Sequence, residues 1–254
     1  AHAFIVNKLW NPASSTLSHR WRDGHVDGSQ QSESYLYFLR GSRVLYEATL
    51  NPSYLSLAVT LADRAVVLFY DKMNGGFFDG EDREDLVFRL KDDYDSATPT
   101  PSSVARFEYA VLAEITGKPS YREVARKSLL SVSDTLRQSP TQLAESLKAV
   151  SFMVGKPARI VIAGSQQREE FLEVAWTGQR QNLLVVGTTG PVSEFTRQLK
   201  EVKSGKTTVY YCVGQTCRLP ETDPAILADW LKEDRSSEKS PAEEAGSQSS
   251  PALE

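Results

Sequence analysis

Cysteine, basic charge and long apolar runs are all scarce in this chain of 254 residues, and each scarcity excludes a class of protein. The only two cysteines, Cys212 and Cys217, are too few for a disulfide scaffold and favour a reducing, cytoplasmic compartment. No apolar run approaches the roughly 20 residues that cross a bilayer, so no membrane segment is expected. The net charge of -4 offers no concentrated basic face, so neither nucleic acid nor an anionic membrane is an expected partner.

The few potential metal ligands also lack the spacing of known sites. Cys212 and Cys217 form a C-x4-C pair without the second ligand pair of a structural zinc site, and the pair is not a C-x-x-C redox motif. We favour two small apolar residues around a strand and a turn, with a disulfide or redox pair as the alternative. His2, His19 and His25 show no metal-ligand spacing, and no cofactor or metal is predicted.

An internal repeat organises the first part of the chain. Residues 45–54 (LYEATLNPSY) and 112–121 (LAEITGKPSY) share Glu, Thr, Pro, Ser and Tyr in register, and each joins two stretches of helical periodicity. A single hairpin of two helices cannot bury its apolar faces, so such units stack side by side. Six helices are predicted, near residues 1–10, 34–49, 53–70, 102–116, 119–137 and 140–153. The long connections, 11–33 and 71–101, should lie at one end of the stack.

The pattern changes near residue 156. Three short apolar runs predict strands at 159–164, 182–187 and 207–213. Predicted helices follow them at 167–177, 191–202 and 223–233. Alternating strands and helices indicate a small, mainly parallel α/β unit over residues 154–233. Residues 234–254 contain no aromatic residue and little apolar content, which predicts a disordered tail.

The segment RLKDDYDSATPTPSS, residues 89–103, places three aspartates on the longest connection. Three interpretations remain open: a metal site, a pair of catalytic carboxylates, or a solvated acidic loop in which Ser102 caps the next helix. EF-hand calcium binding is excluded because the required glycine and bidentate glutamate are missing. Acid/base chemistry needs an opposed carboxylate from elsewhere, and Glu33 and Glu108 are the candidates.

Several motifs together resemble a known family. They are GGFFDGEDREDLVFRLKDDYDSATPTPSSVA (residues 75–105), FLRGSRVLYEAT upstream, and IVIAG and VYYCVGQTCRLPETDP downstream. In combination they resemble the thioredoxin-domain-containing family of spermatogenesis-associated protein 20 and bacterial YyaL, up to about residue 232. The resemblance implies an N-terminal thioredoxin-like domain, then an (α/α)6 toroid similar to six-hairpin glycosidases and N-acylglucosamine 2-epimerases.

On this resemblance the chain is a fragment from the C-terminal part of such a protein, which agrees with a start that reads like the middle of a helix. The expected fold is mainly α with a smaller α/β part. Residues 1–153 would form an incomplete (α/α) toroid of stacked helical hairpins, about half of the (α/α)6 ring. Residues 154–233 would form the small, mainly parallel α/β unit.

The expected function is carbohydrate processing or binding, with a sugar or glycan ligand and the thioredoxin-like domain as partners. The expected catalytic residues are Asp92, Asp95 and Glu33. The expected substrate-binding residues are Tyr35, Tyr94, Lys91 and Ser103. Ser34 stands where the family carries an aspartate, and residues 91–103 lack the family's glycines and asparagine. The alternatives are therefore a non-catalytic interaction scaffold or pseudoenzyme, and a thiol-redox-linked protein using Cys212 and Cys217.

Overall fold

The computed structural model of the chain describes residues 1–178, 182–203 and 205–238. It is mainly helical with a smaller part in which strands and helices alternate, as the sequence predicts. The helices are α1 (His2–Lys8), α2 (Ser32–Thr49), α3 (Pro52–Phe69), α4 (Pro101–Thr116), α5 (Pro119–Leu130), α6 (Ser133–Gln138), α7 (Ala144–Val154), α8 (Arg168–Thr177), α9 (Glu194–Gln198) and α10 (Pro224–Glu238). The strands are β1 (Trp10–Asn11), β2 (Thr16–Leu17), β3 (Arg20–Arg22), β4 (His25–Asp27), β5 (Ala158–Ala163), β6 (Leu183–Gly187), β7 (Thr208–Val213) and β8 (Thr216–Cys217).

The repeated junctions are helix-to-helix turns, as predicted. Helices α3 and α5 each begin with proline in the first turn, where the missing N–H leaves no intrahelical bond unmade. The residue that ends the preceding helix is left-handed in both copies: Leu50 at φ 54° and Gly117 at φ 72°. Leucine is disfavoured in this conformation. Because Leu50 is only 2% exposed, burial of its side chain offsets that local cost.

The helices pack in two layers. Helices α2, α4 and α7 lie side by side, while α3 packs against α2 and α5 packs against α4. The layers meet over buried aromatic and aliphatic side chains, among them Tyr35, Leu39, Leu61, Phe69, Phe77, Tyr109 and Leu112. The Tyr109 hydroxyl donates to the carbonyl of Ala62 at 2.6 Å, so this buried side chain is also satisfied as a polar group.

Some predicted helix boundaries are wrong. The predicted first helix ends at Lys8, because the chain turns into two small antiparallel hairpins, β1–β2 and β3–β4. The predicted helix over 119–137 is two helices, α5 and α6, separated at residues 131–132. The predicted tail begins too early, since α10 continues to Glu238. The rest of that tail, from residue 239, lies outside the described residues.

The sheet is mixed, so the prediction of a mainly parallel unit is wrong. Its strand order is β6-β5-β7-β8. Strands β5 and β6 are parallel, with Ile160 opposite Val185, but β5–β7 and β7–β8 are antiparallel. Apolar runs of this kind predict burial on both faces, and burial does not determine the direction of a strand. The described part of the link from β6 to β7 contains only the short helix α9.

The sheet joins the helical layers through its β6 edge. The amide of Gly187 donates to the hydroxyl of Tyr46 on α2 at 3.0 Å, so a helix side chain occupies a sheet edge that would otherwise be open. Helix α8 packs against β5 and α10, and it also touches α2. The helical and α/β parts therefore share one continuous hydrophobic core.

Helix α3 bears on the prediction that no segment crosses a membrane. By length and composition alone it is long and apolar enough to span a bilayer, and it is the only such helix in the described ranges. Core helices of soluble proteins meet the same criteria, so one such helix is a weak indication. Six of its residues are buried against the other helices: Leu55, Ala58, Leu61, Ala62, Ala65 and Phe69.

Candidate functional site

The connection between α3 and α4 forms a compact loop at the end of the helical stack. Its return is fixed by backbone bonds from Phe78 N to Phe69 O at 2.8 Å and from Asp79 N to Leu90 O at 2.8 Å. The Arg89 guanidinium donates to the carbonyls of Leu68 and Gly80, both at 2.7 Å. These contacts hold the connection against the C-terminal end of α3.

Asp95 has a structural role in the described residues. Its Oδ1 accepts from the amide of Thr100 at 2.8 Å, and its Oδ2 accepts from the amide of Glu145 at 3.0 Å. Glu145 lies in the first turn of α7, so Asp95 caps that helix from a distant part of the chain. Both carboxylate oxygens are occupied, which argues against the predicted catalytic role.

Three predicted ligand-binding residues are likewise held by intramolecular bonds. Lys91 donates to Asp71 Oδ2 and to the carbonyl of Gly75, both at 2.8 Å. Ser103 is fully buried and bonds to the Arg106 guanidinium and the Ser146 hydroxyl. Tyr35 is also fully buried, so its ring cannot form the wall of an open cleft, contrary to the sequence-based prediction.

These side chains are not available to a ligand because each of them holds part of a long connection in place. The Tyr35 hydroxyl accepts from the amide of Leu17 at 2.8 Å and donates to the side chain of Gln30, which ties the connection 11–33 to α2. The ion pair with Lys91 brings the pKa of Asp71 down to about 2, although burial alone would raise it. The side chains predicted to bind a substrate therefore hold the two long connections in place instead.

Asp92, Tyr94 and Glu33 remain open to a ligand. All three side chains are exposed, and Tyr94 is 56% exposed. Asp92 Oδ1 accepts from the amide of Tyr94 at 3.0 Å. Glu33 lies on α2, where its charge acts on Tyr37 together with the charges of Glu145 and Asp95. The structure thus brings Glu33 towards the acidic loop, but it does not place Glu33 opposite Asp92 across a defined cleft.

Asp79 is a candidate that the sequence analysis missed. It lines a cleft of about 230 Å³ between the two long connections, with Gln30, Glu81, Phe88 and Arg89 among the other lining residues. Burial raises the pKa of the Asp79 carboxyl, and the nearby charges of Asp92 and Asp93 act in the same direction. The only signal for Asp79 in the sequence is its place in the GGFFDGED run, residues 75–82.

An arginine–glutamate cluster lies below the loop on α2, α4 and α7. Glu108 is fully buried and accepts from Arg40 Nε at 2.8 Å and from Arg43 Nε at 2.5 Å. Arg40 also pairs with Glu145, and Arg43 pairs with Glu47 at 2.6 Å. Burial alone would raise the pKa of Glu108, but the two guanidinium groups lower it. The lowered pKa favours the ionised form of Glu108, which makes it unsuitable as a general acid.

Asp93 also has a buried partner. Its Oδ1 accepts from Arg106 Nη2 at 2.5 Å, and the Arg106 side chain is wholly inaccessible. Arg106 further donates to the carbonyl of Ser128 at 2.8 Å. These bonds tie the acidic loop to α4 and α5.

In the described part of the chain no group of three or more His, Cys, Asp or Glu side chains is arranged to hold a metal ion, so the metal interpretation of the loop has no support.

The two cysteines are bonded to each other, and the favoured interpretation of two unbonded apolar residues is wrong. Cys212 on β7 lies directly opposite Cys217 on β8, and their sulfur atoms form a disulfide. A C-x4-C spacing is compatible with a tight antiparallel turn, which brings the two side chains to the same face. The minority interpretation, a disulfide pair, is the correct one.

Comparisons with known proteins identify relatives of the chain, although no protein-family profile matches it. Spermatogenesis-associated protein 20 of mouse is 32% identical over 210 residues, and the human protein of that name is 30% identical over 210 residues. Each alignment covers 78% of this chain but 27% of the relative, so the chain spans about a quarter of the length of the relatives it matches. An uncharacterised protein of Caenorhabditis elegans is 27% identical over 215 residues. The chain is thus related to the spermatogenesis-associated protein 20 family.

Proposed function

We propose that the end of the helical stack formed by the long connections binds a carbohydrate, and that Asp79 is the carboxyl group that acts on it. The observation that carries the proposal is the state of Asp79: a carboxyl with a raised pKa in a cleft. A carboxyl group with a raised pKa keeps its proton to a higher pH than a solvated aspartate does, and it is suited to donate that proton to a leaving oxygen. Glycoside hydrolysis requires this kind of acid beside a second carboxylate.

Neighbouring groups in the cleft support the same proposal. The backbone amide of Asp92 donates to Asp79 Oδ1 at 3.3 Å, and the charge of the exposed Asp92 side chain acts on Asp79, although Asp92 does not line the cleft itself. Phe88 is 70% exposed and lines the cleft, as an aromatic platform for a sugar ring would. Asp95, Lys91 and Ser103 then serve to position the loop. The second carboxylate of the reaction is Asp92, with Glu33 as the alternative.

The architecture supports the proposal at the level of the fold. Two stacked helical pairs and a further helix, with their long connections at one end, are compatible with part of an (α/α)6 toroid. In such a ring the remaining hairpins would come from the rest of a longer protein, together with a thioredoxin-like domain. Fold likeness alone does not define a reaction, so the proposal rests on Asp79 and its cleft.

Sugar binding by the chain tests the proposal. Titration calorimetry with glucose, N-acetylglucosamine and their β-1,4-linked disaccharides should detect binding of at least one of them. Asp79→Asn should weaken that binding about tenfold, because an NH2 group replaces one carboxyl oxygen that can accept from a sugar hydroxyl. Asp82→Asn is the matched control, since Asp82 is exposed on the same connection and does not line the cleft. Equal binding by the two variants, or no binding of any of these sugars, would refute the proposal.

A non-catalytic interaction scaffold is the second candidate, and a specific surface favours it. Val87 is 96% exposed, Leu90 is 63% exposed, and both lie beside Phe88 on the same connection. Contiguous exposed apolar side chains of this kind are typical of protein-binding surfaces. The variant Val87→Ser should then weaken capture of partner proteins while leaving sugar binding intact, because Val87 does not line the cleft. The opposite result, loss of sugar binding alone, would favour the first candidate.

A thiol-redox-linked role is the third candidate, and the Cys212–Cys217 disulfide supports it. The same disulfide weighs against the cytoplasmic location expected from the low cysteine content, because that compartment keeps thiols reduced. Alkylation of the chain isolated from cells, followed by mass spectrometry, distinguishes the states. A mixture of bonded and alkylated cysteines would support redox cycling, and a fully bonded population would indicate a structural disulfide.

A further inference from the structure

A second cavity lies between the helical layers and the α/β part, away from the long connections. It has a volume of about 320 Å³ and is lined by residues of α2, α4, α7, α8 and the β6 strand. Glu47, on α2, is 15 residues beyond Ser32, the first residue of the same helix. At 1.5 Å per residue this places Glu47 about 22 Å along the axis from the end that carries the proposed carbohydrate site. The two cavities are therefore separate.

Two buried polar atoms of this cavity lack partners. The Oε1 atom of Glu47 and the Nε1 atom of Trp176 are buried, and neither has a hydrogen-bond partner in the described residues. Only five side-chain atoms in the described residues are buried without a hydrogen-bond partner, and two of the five belong to residues that line this one cavity. Buried polar groups in native proteins are almost always bonded. A ligand in the cavity that both residues line would supply the partners that these two atoms lack.

The Glu47 carboxyl is well defined on its other side. Its Oε2 accepts from Arg43 Nη1 at 2.6 Å, and the residue is 6% exposed. Burial raises the pKa of this carboxyl to about 7, against the effects of Arg43 and of the nearby Val185 amide. Above that pH the carboxyl is ionised, and Oε1 is an acceptor in a site where an incoming N–H or O–H group would replace the lost contact with water.

The remaining walls are mostly apolar. Phe107, Val111 and Phe152 come from the helical layers, and Leu184 comes from β6. Lys148 on α7 also lines the cavity. Its side chain is 56% exposed and forms an ion pair with Glu145 at 2.8 Å, so its charge is balanced without a ligand. A ligand for these walls has an apolar body, and its polar part must donate to Glu47 and accept from the indole N–H of Trp176.

We infer that this cavity binds a small aromatic molecule with a neutral polar group that both donates and accepts hydrogen bonds, such as an aromatic primary amide. The ring packs against Phe107, Phe152 and the Trp176 indole. The amide N–H donates to Glu47 Oε1, and the amide oxygen accepts from Trp176 Nε1. A cavity of about 320 Å³ lies at the lower end of the range for small-molecule sites, which suits a ligand of one or two rings.

Benzamide and benzoate are a matched pair of probes for this site. They have nearly the same shape, but benzoate has no donor for Glu47 and carries a charge of the same sign as that carboxylate. Saturation-transfer NMR with the whole chain at about pH 8.5, where Glu47 is ionised, should detect benzamide, and benzoate should bind at least about tenfold more weakly because it leaves Oε1 unpaired. No detectable binding of benzamide up to its solubility limit, or equal binding of benzoate, would overturn the inference.

Variants locate the binding. Trp176→Phe removes the N–H and keeps an aromatic body, so it should weaken benzamide binding about five- to tenfold. Trp230→Phe is its control, because Trp230 packs on Tyr211 and is not among the residues that line the cavity. Val44→Trp is a second test: Val44 lines the cavity and is 38% exposed, so a larger side chain should block the site without disturbing the core. Unchanged binding in both cavity variants, or ordered water bonded to both orphan atoms in a crystal grown with benzamide, would refute the assignment.

Discussion

Replacement of Glu108 by glutamine should destabilise the fold more than any surface charge change on the same helix. Glu108 is fully buried and takes bonds from Arg40 at 2.8 Å and from Arg43 at 2.5 and 3.1 Å. Glutamine keeps the shape and one acceptor oxygen but removes the charge that balances the two guanidinium groups. Breaking one side of a buried ion pair costs about 3–5 kcal/mol, and the remaining partners of the two arginines place the expected loss near about 3 kcal/mol.

Urea unfolding followed by far-UV circular dichroism measures this loss. A change of about 3 kcal/mol should lower the melting temperature by about 6–12 °C for a chain of this size. Glu114→Gln is the control on α4, because Arg122, its partner, is half exposed and such pairs contribute about 0–1 kcal/mol. Since the pKa of Glu108 is lowered in the folded state, its contribution is present above the unfolded value of 4.5 and is lost as the pH falls further. A Glu108→Gln variant within about 1 kcal/mol of the control at pH 7 would refute the reasoning.

Three further outcomes follow from individual contacts. Asp95→Ala should lower the unfolding free energy by about 1–2 kcal/mol because the amide of Glu145 loses its cap, whereas Asp95→Asn, which keeps an acceptor, should cost clearly less; equal losses in urea melts would contradict the capping role. Reduction of Cys212–Cys217 should cost about 2 kcal/mol, since the bond closes a loop with a sequence separation of 5, and a urea midpoint unchanged by dithiothreitol would contradict this. The pKa of Glu47 is raised to about 7 by burial, so its contribution is fully present below the unfolded value of 4.5 and is lost as the pH rises through about 7. Wild type should therefore lose stability relative to Glu47→Gln between pH 5 and pH 8, on the order of 2 kcal/mol, and parallel pH profiles would contradict it.

The helical hairpins could be predicted because their signals are local. The repeated Asn-Pro and Lys-Pro junctions, with apolar periodicity on both sides, predict α2, α3 and α4 closely and the start of α5, and the structure confirms them. Proline in a first turn and a left-handed residue before it depend on only a few neighbouring residues. The direction of β7 was missed because it depends on which edge of β5 the chain returns to, and no local pattern encodes that choice.

The candidate site shows the opposite balance. The acidic loop stands out in the sequence, yet most of its charged residues are held by partners far along the chain: Asp95 by Glu145, Asp93 by Arg106 and Lys91 by Asp71. A charged side chain that is bonded to such a partner is not free to bind a ligand, and the sequence does not show which residue the partner is. Asp79 became a candidate only when burial and neighbouring charges were known.

The sequence by itself determined the helical hairpins, the presence of a smaller α/β part and the family relationship, because these depend on local periodicity and on residue identity along the chain. Tertiary structure alone decided which carboxylates are bound and which are open, how the strands pair, and that Cys212 meets Cys217. It also brought Glu47 and Trp176, 129 positions apart in the printed sequence, to one cavity. Burial and partnership depend on the three-dimensional environment of a group, and these two properties determine whether a polar side chain supports the fold or remains available for a ligand.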